Sequence, residues 1–239
     1  MFPLVFWLAV WTACYFAIHQ DLLLAAPWDV AKRFTFVTTA PFWRSVGMSL
    51  MRTAAAYGIG VALACVLALL CHACPLADEV IRPALAVVRA TPVASFIILA
   101  LVWLDSRSLP LFISALMVFP PVYLNVLAGI AAADGKLLEM ARVFRVPLGR
   151  RLAGIYLPAV LPYFRSAVSL ALGLCWKAGA AAEVIGLPSG PIGERLYTAK
   201  VYFQTPDLFA WTAVIVAVSV LFEKLFLALV DALAGKAVL

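Results

Sequence analysis

Long apolar runs separated by short charged stretches dominate this chain, and the charges divide it into six runs of about the length that crosses a bilayer core, about 20 residues each. They lie near residues 2–18, 45–70, 92–104, 109–132, 159–182 and 208–234. The third run is short from Val93 to Leu104 and reaches spanning length only by extension back through residues 83–90, which brings Arg89 and Pro92 into it. Thr91-Pro92 reads as an N-cap followed by proline at the first helical position, so a break is expected there. The expected architecture is an all-α integral membrane protein with six transmembrane helices. A first transmembrane helix and external segment occupy 1–44, and a core domain over 45–239 carries five more helices with a polar loop at 134–158.

Composition sharpens this picture. With 66% hydrophobic and 13% charged residues and a mean hydropathy of +1.05, the chain has too little polar surface to cover a water-soluble globule of 239 residues. Its net charge of +6 is scattered between apolar runs and forms no basic stripe, which excludes nucleic-acid binding. The opening residues lack the basic start of a cleaved signal, so the first apolar run is expected to persist as an uncleaved spanning helix. The five cysteines lie mostly inside apolar runs, where a thiol acts as a small hydrophobe. Cys71-His72-Ala73-Cys74 has C-x-x-C spacing, but no second ligand pair accompanies it, so it reads as membrane-edge cysteines and no metal site. No nucleophile–base constellation or metal cluster suggests an enzyme, and no catalytic residue is assigned.

Basic residues set the expected orientation. With both termini cytoplasmic, nine loop Lys and Arg residues, Lys236 among them, fall inside and six outside; five of the nine lie between Lys136 and Arg151. The expected location is the cell's plasma (inner) membrane, crossed several times. Two polar stretches, 19–44 and 186–207, are expected outside, and in the second Gly186-Leu187-Pro188-Ser189-Gly190-Pro191-Ile192-Gly193 marks turns. No Walker-type phosphate loop occurs, so any ATP must be hydrolysed by another chain.

The stretch 134–158 is the most informative. Leu137, Met140, Ala141 and Phe144 recur at i, i+3, i+4 and i+7, predicting a short amphipathic helix with Asp134 as its N-cap; Pro147 then starts a second short helix. Periodicity alone leaves two readings open: a basic loop lying among headgroups, or a surface for another protein.

The same residues resemble the EAA loop of binding-protein-dependent ABC permeases, whose pattern is E-A-A, three residues, G, nine residues, I-x-L-P. Glu139-Met140-Ala141 stands for the first element, Arg145 occupies the glycine position, and Ile155-Tyr156-Leu157-Pro158 falls at the expected distance. A left-handed turn at Arg145 costs an ordinary residue about 1 kcal/mol relative to glycine. The resemblance extends through Arg89-Ala90-Thr91-Pro92 and the run from Leu161-Pro162 through Trp176-Lys177-Ala178 to Glu183-Val184-Ile185-Gly186, which look like the nitrate/sulfonate/taurine subfamily. It covers about residues 45–234. It implies an importer permease fold whose coupling helix docks on an ATPase subunit dimer that carries ATP and Mg, with no cofactor on this chain. It further implies an external solute-binding protein, a second permease copy forming a homodimer, and a small anion such as nitrate, sulfonate or taurine as cargo.

Ionisable groups inside spans cost about 2.5–3.5 kcal/mol at a helix centre, so Lys177 and Glu183 are expected to face a partner or a pathway. Six residues apart, they point in different directions and do not pair. Asn125 is a further candidate for the pathway or for interhelical contact. Arg52 is expected to reach headgroups, and Glu223-Lys224 to pair locally or turn inward. The competing function is a secondary transporter or channel that uses Lys177 and Glu183 as an ion relay. That class predicts internal repeats, and none is visible.

Overall fold

The computed structural model of the protein describes residues 2–237, with side chains described except those of Leu4 and residues 229–237. The side chain of Lys236, counted above on the inner face, lies outside that set. Helices dominate and no strand occurs among the described residues. They are α1 (Phe2–Ile18), α2 (Pro27–Arg33), α3 (Ala40–Ala73), α4 (Pro75–Ala90), α5 (Val93–Ala100), α6 (Leu109–Ala131), α7 (Gly135–Val143), α8 (Leu148–Arg151), α9 (Leu157–Gly186), α10 (Ile192–Val201) and α11 (Thr205–Ala237).

Four helices are long and apolar enough to cross a bilayer: Ala40–Ala73, Leu109–Ala131, Leu148–Gly186 and Thr205–Ala228. The third predicted span is not one straight helix. α4 and α5 meet at 107°, and α5 has only 8 residues, about 12 Å of helix. The break falls at Thr91-Pro92, but its chemistry differs from the expected N-cap: Thr91 closes α4, donating its hydroxyl to the Val87 carbonyl at 2.8 Å. Pro92 cannot continue that helix because it has no amide hydrogen. The pair still carries the chain from one end of the bundle to the other, since α3 ends beside Tyr156 and α6 starts against Gly186. Of the five predicted spans that each form one helix, α1, at 17 residues and about 25 Å, is the shortest.

The core is a three-helix stack in which α6 lies against both α3 and α9. Small residues permit the close approach. A Cβ on Gly60 would lie 2.9 Å from the Ala115 carbonyl oxygen, and one on Gly129 would lie 2.8 Å from the Val160 Cα. Larger side chains fill the remainder: Tyr123, Val118, Val122, Val168 and Leu172 are almost fully buried. The Tyr57 hydroxyl donates to the Val168 carbonyl at 2.8 Å, because a buried phenol must find a partner. At the end where α3 turns into α4, Asp78 receives Arg82 at 2.7 Å and the Tyr123 hydroxyl at 3.1 Å, tying α4 to α6.

α8, the turn Leu152–Tyr156 and α9 form one continuous helix of 39 residues, about 58 Å long. The second short helix expected after Pro147 is therefore the first stretch of the fifth span. The Leu152–Tyr156 turn is π-helical, with the Leu157 amide donating to the Leu152 carbonyl. This widened turn admits Pro158, whose ring would otherwise press on the carbonyl four residues back. At the opposite end of the bundle, α2 and α10 cover the tops of α3 and α11. Trp11 links α1 to this layer by donating to the Ala25 carbonyl at 3.1 Å and stacking on Phe209.

Candidate functional site

The polar hairpin is built from α7 and the beginning of the 39-residue helix. Asp134 caps α7 as expected, accepting from the Lys136 amide at 2.8 Å. The other end closes with the Val146 amide on the Ala141 carbonyl at 2.9 Å and the Arg145 amide on the Arg142 carbonyl at 3.1 Å. Arg145 is left-handed, with φ 49°, at the position where a helix of this ending most often has glycine. The arginine thus adopts the conformation the glycine pattern calls for and bears its cost. Arg151 Nε donates to the Val146 carbonyl at 3.0 Å, locking the turn to the next helix.

The apolar stripe of α7 faces away from the protein's own core. Leu137, Met140 and Phe144 are 42%, 50% and 74% exposed, and only Ala141 of the predicted stripe is buried. Val143 and Leu148 extend this surface, and Glu139, Arg142, Arg145 and Arg150 surround it with charge. An exposed apolar patch with a polar rim marks a contact surface for another molecule. Ile155 is half-buried in the π turn, and Leu157 and Pro158 are exposed at the start of α9.

A second polar feature runs along the membrane-spanning part of α9. Arg165, Ser166, Ser169 and Lys177 recur on one helical face, and Ser219 and Glu223 of α11 face them across a cleft of about 900 Å³. Lys177 is exposed and Glu223 half-buried. Acyl chains are a poor solvent for such a face, so it belongs against water or protein.

Glu183 is elsewhere, 3% exposed and held in a network. Its Oε2 accepts from Ser49 Oγ at 2.7 Å and from the Gly193 amide at 3.3 Å, while Ser49 Oγ accepts the Ile192 amide at 3.1 Å. Ile192 and Gly193 open α10, so the carboxylate sits at a helix N-terminus and satisfies amides that the helix leaves unpaired. Glu194 adds a bond to the Gly190 amide. Lys177 and Glu183 are not brought together, in keeping with their spacing. Asn125 donates to the Pro121 carbonyl of its own helix at 2.8 Å, a local bond with no partner helix involved. Arg52 is half-buried, with Nη1 buried and without a hydrogen-bond partner, and it lines a cleft rather than reaching outward alone. Sequence reasoning did not single out Ser49. A lone serine in a span is a frequent packing residue, and nothing local marks its partner 134 residues away.

These features define a multi-span helical membrane protein with an exposed amphipathic hairpin at one end and an ordered cap at the other. The chain belongs to the family described as the binding-protein-dependent transport system inner membrane component, whose pattern matches residues 58–237. It is 32% identical over 165 residues to a Bacillus subtilis (strain 168) protein named as an aliphatic sulfonates transport permease, SsuC. That match covers 68% of this chain and 59% of the Bacillus protein. It is 24% identical to the taurine transport system permease protein TauC of Escherichia coli (strain K12), covering 89% of this chain and 80% of TauC. It is also 25% identical to the bicarbonate transport system permease protein CmpB of Synechocystis sp. (strain ATCC 27184 / PCC 6803 / Kazusa), covering 68% of this chain and 58% of CmpB.

Proposed function

We propose that this chain is the membrane-spanning permease of an ATP-driven importer and that residues 135–151 are the handle through which a separate ATPase dimer moves it. The observation that carries this reading is the apolar face of α7, with Phe144 74% exposed on a hairpin continuous with the fifth span. A continuous helix transmits a displacement at one end to the other without an intervening loop, so a pull on the hairpin rocks α9 in the bundle. The polar cleft of Lys177 and Glu223 lies along the same helix. In this reading it faces a second copy of the permease across the translocation pathway. An external binding protein delivers the solute, and the concentration of Lys and Arg between Lys136 and Arg151 supports a cytoplasmic hairpin with both termini on the same side.

The cargo is a small anion. Lys177 and Arg165 on the cleft face favour one, and the relatives are named for sulfonate, taurine and bicarbonate transport. A relay joining Lys177 to Glu183 has little support, because the carboxylate is bonded to Ser49 and the start of α10.

The test is co-purification with the ATPase and binding protein, followed by reconstitution. Phe144→Asp places a charge in the apolar contact and should abolish ATPase association while leaving the folded permease in the membrane. Undiminished association and coupled hydrolysis would refute the handle.

A further inference from the structure

At the end of the bundle remote from the hairpin, the first turns of α3, the loop before α6, and the segment leading into α10 enclose a cleft of about 820 Å³. Four arginines line it: Arg44 and Arg52 from α3, Arg107 from the loop, and Arg195 from α10. Glu194 is the acidic residue lining this cleft, and its Oε2 is engaged by the Gly190 amide. Glu183 lies within the field of Arg52 but is bonded to Ser49 and Gly193. Asp105, near Arg107 in sequence, has its carboxyl held below the ordinary value first by the Ser108 hydroxyl.

The positive charge in the cleft is therefore largely uncompensated. Arg44 and Arg107 make no side-chain hydrogen bond or ion pair among the described residues, and Arg195 makes one long bond, 3.4 Å from Nε to Ser45 Oγ. Arg52 Nη1 is buried without a partner, a cost that a folded protein ordinarily avoids. Four like charges lining one concavity raise its positive potential, and an anion entering it relieves their repulsion. Guanidinium groups are matched to planar or tetrahedral oxyanions, which they hold through paired hydrogen bonds. The cleft is concave and of small-molecule size, which favours a free solute over the convex surface of a protein.

We propose that Arg44, Arg52, Arg107 and Arg195 form a binding site for a small oxyanion of the sulfonate or bicarbonate class. That the anion is the cargo rests on the importer reading; that the cleft binds an anion does not. As a receiving site, it would hold the charged group of an incoming solute before the solute reaches the cleft of Lys177. The cap residues Gly190 and Glu194 line it, so a shift of the 187–194 segment would change its shape.

Direct binding tests this on the full chain alone, in nanodiscs of phosphatidylcholine, with ethanesulfonate as the probe in titration calorimetry and ethanol as the uncharged control. The expected result is saturable binding of ethanesulfonate, no binding of ethanol, and at least about tenfold weaker binding in an Arg44→Gln/Arg107→Gln double variant. Those two side chains have no internal bonds to lose, so the variant should fold as the parent does. Arg52→Gln is the second variant and should also weaken binding, with the thermal transition recorded alongside. Absence of saturable binding, or equal affinity in the double variant, would overturn the site. Abolition of ethanesulfonate binding by one quarter phosphatidylglycerol would assign the cleft to a lipid headgroup and overturn it as a solute site. Loss of binding-protein capture in the variants with ethanesulfonate affinity unchanged would assign it to a protein carboxylate, with the same consequence. The ATPase association of the Phe144→Asp protein is read separately, so the importer reading and the anion site can fail independently.

Discussion

Ser49 on α3 donates to Glu183 on α9 at 2.7 Å, and the same hydroxyl oxygen accepts the first amide of α10. One serine thereby joins two spans and the cap that covers them. Removing the carboxylate strands the Gly193 amide and the Ser49 hydroxyl in a buried place, at about 1–3 kcal/mol for each group left unpaired. Glu183→Ala should therefore lower the melting temperature in detergent and open 187–193 to protease. Glu183→Gln keeps an acceptor and should do much less harm. Equal stability of the alanine variant and the parent would show that the network contributes nothing.

Gly193 touches the same network from the other side. A Cβ added there would overlap the Glu183 Cβ and lie 2.8 Å from the Val184 backbone nitrogen, with no flexible atom able to move away. Gly193→Ala should cost about 1–3 kcal/mol or prevent assembly. A Cβ on Gly47, by contrast, would meet nothing within 4 Å. Gly47→Ala should instead raise helix stability by up to about 1 kcal/mol. Thermal shift assays on the pair check both signs.

Arg145 carries a conformational cost that glycine would not. Arg145→Gly should stabilise the hairpin by about 1 kcal/mol, measurable as slower hydrogen exchange of the backbone amides at positions 145 and 146. Arg145→Val, with a branched side chain at φ 49°, should speed that exchange. Unchanged exchange in both variants would mean that the turn is not held as described.

Lys177 faces the cleft between α9 and α11 with its charge exposed. Lys177→Met should reduce uptake in reconstituted vesicles while ATPase association persists, and Lys177→Arg should retain most of it. Uptake and anion selectivity that are indifferent to the methionine would leave Lys177 outside the route.

Much of this architecture follows from local pattern. Apolar runs longer than about 20 residues became the four long helices, because a backbone in lipid must satisfy its own hydrogen bonds. Asp134 and the helical spacing that follows it became a capped α7. The α4–α5 bend was foreshadowed by Thr91-Pro92, although its 107° angle was not, since proline ends a helix without dictating where the next one points. The fusion of α8 with α9 was hidden because Pro147 and Pro158 suggest boundaries, and a π turn dissolves the second.

The sequence by itself determined that the chain lives in a bilayer, where its long single-helix spans lie, and that Leu137, Met140, Ala141 and Phe144 have the spacing of a short amphipathic helix capped by Asp134. These are properties of neighbouring residues, set by solvent and helical period. Only the tertiary structure decided that Glu183 caps α10, that the stripe of Leu137 and Phe144 is turned outward, and that Arg44, Arg52, Arg107 and Arg195 share one cleft. Each of those facts depends on which distant segments pack together, and a serine, a glycine or an arginine carries no local mark of the partner it will meet across the fold.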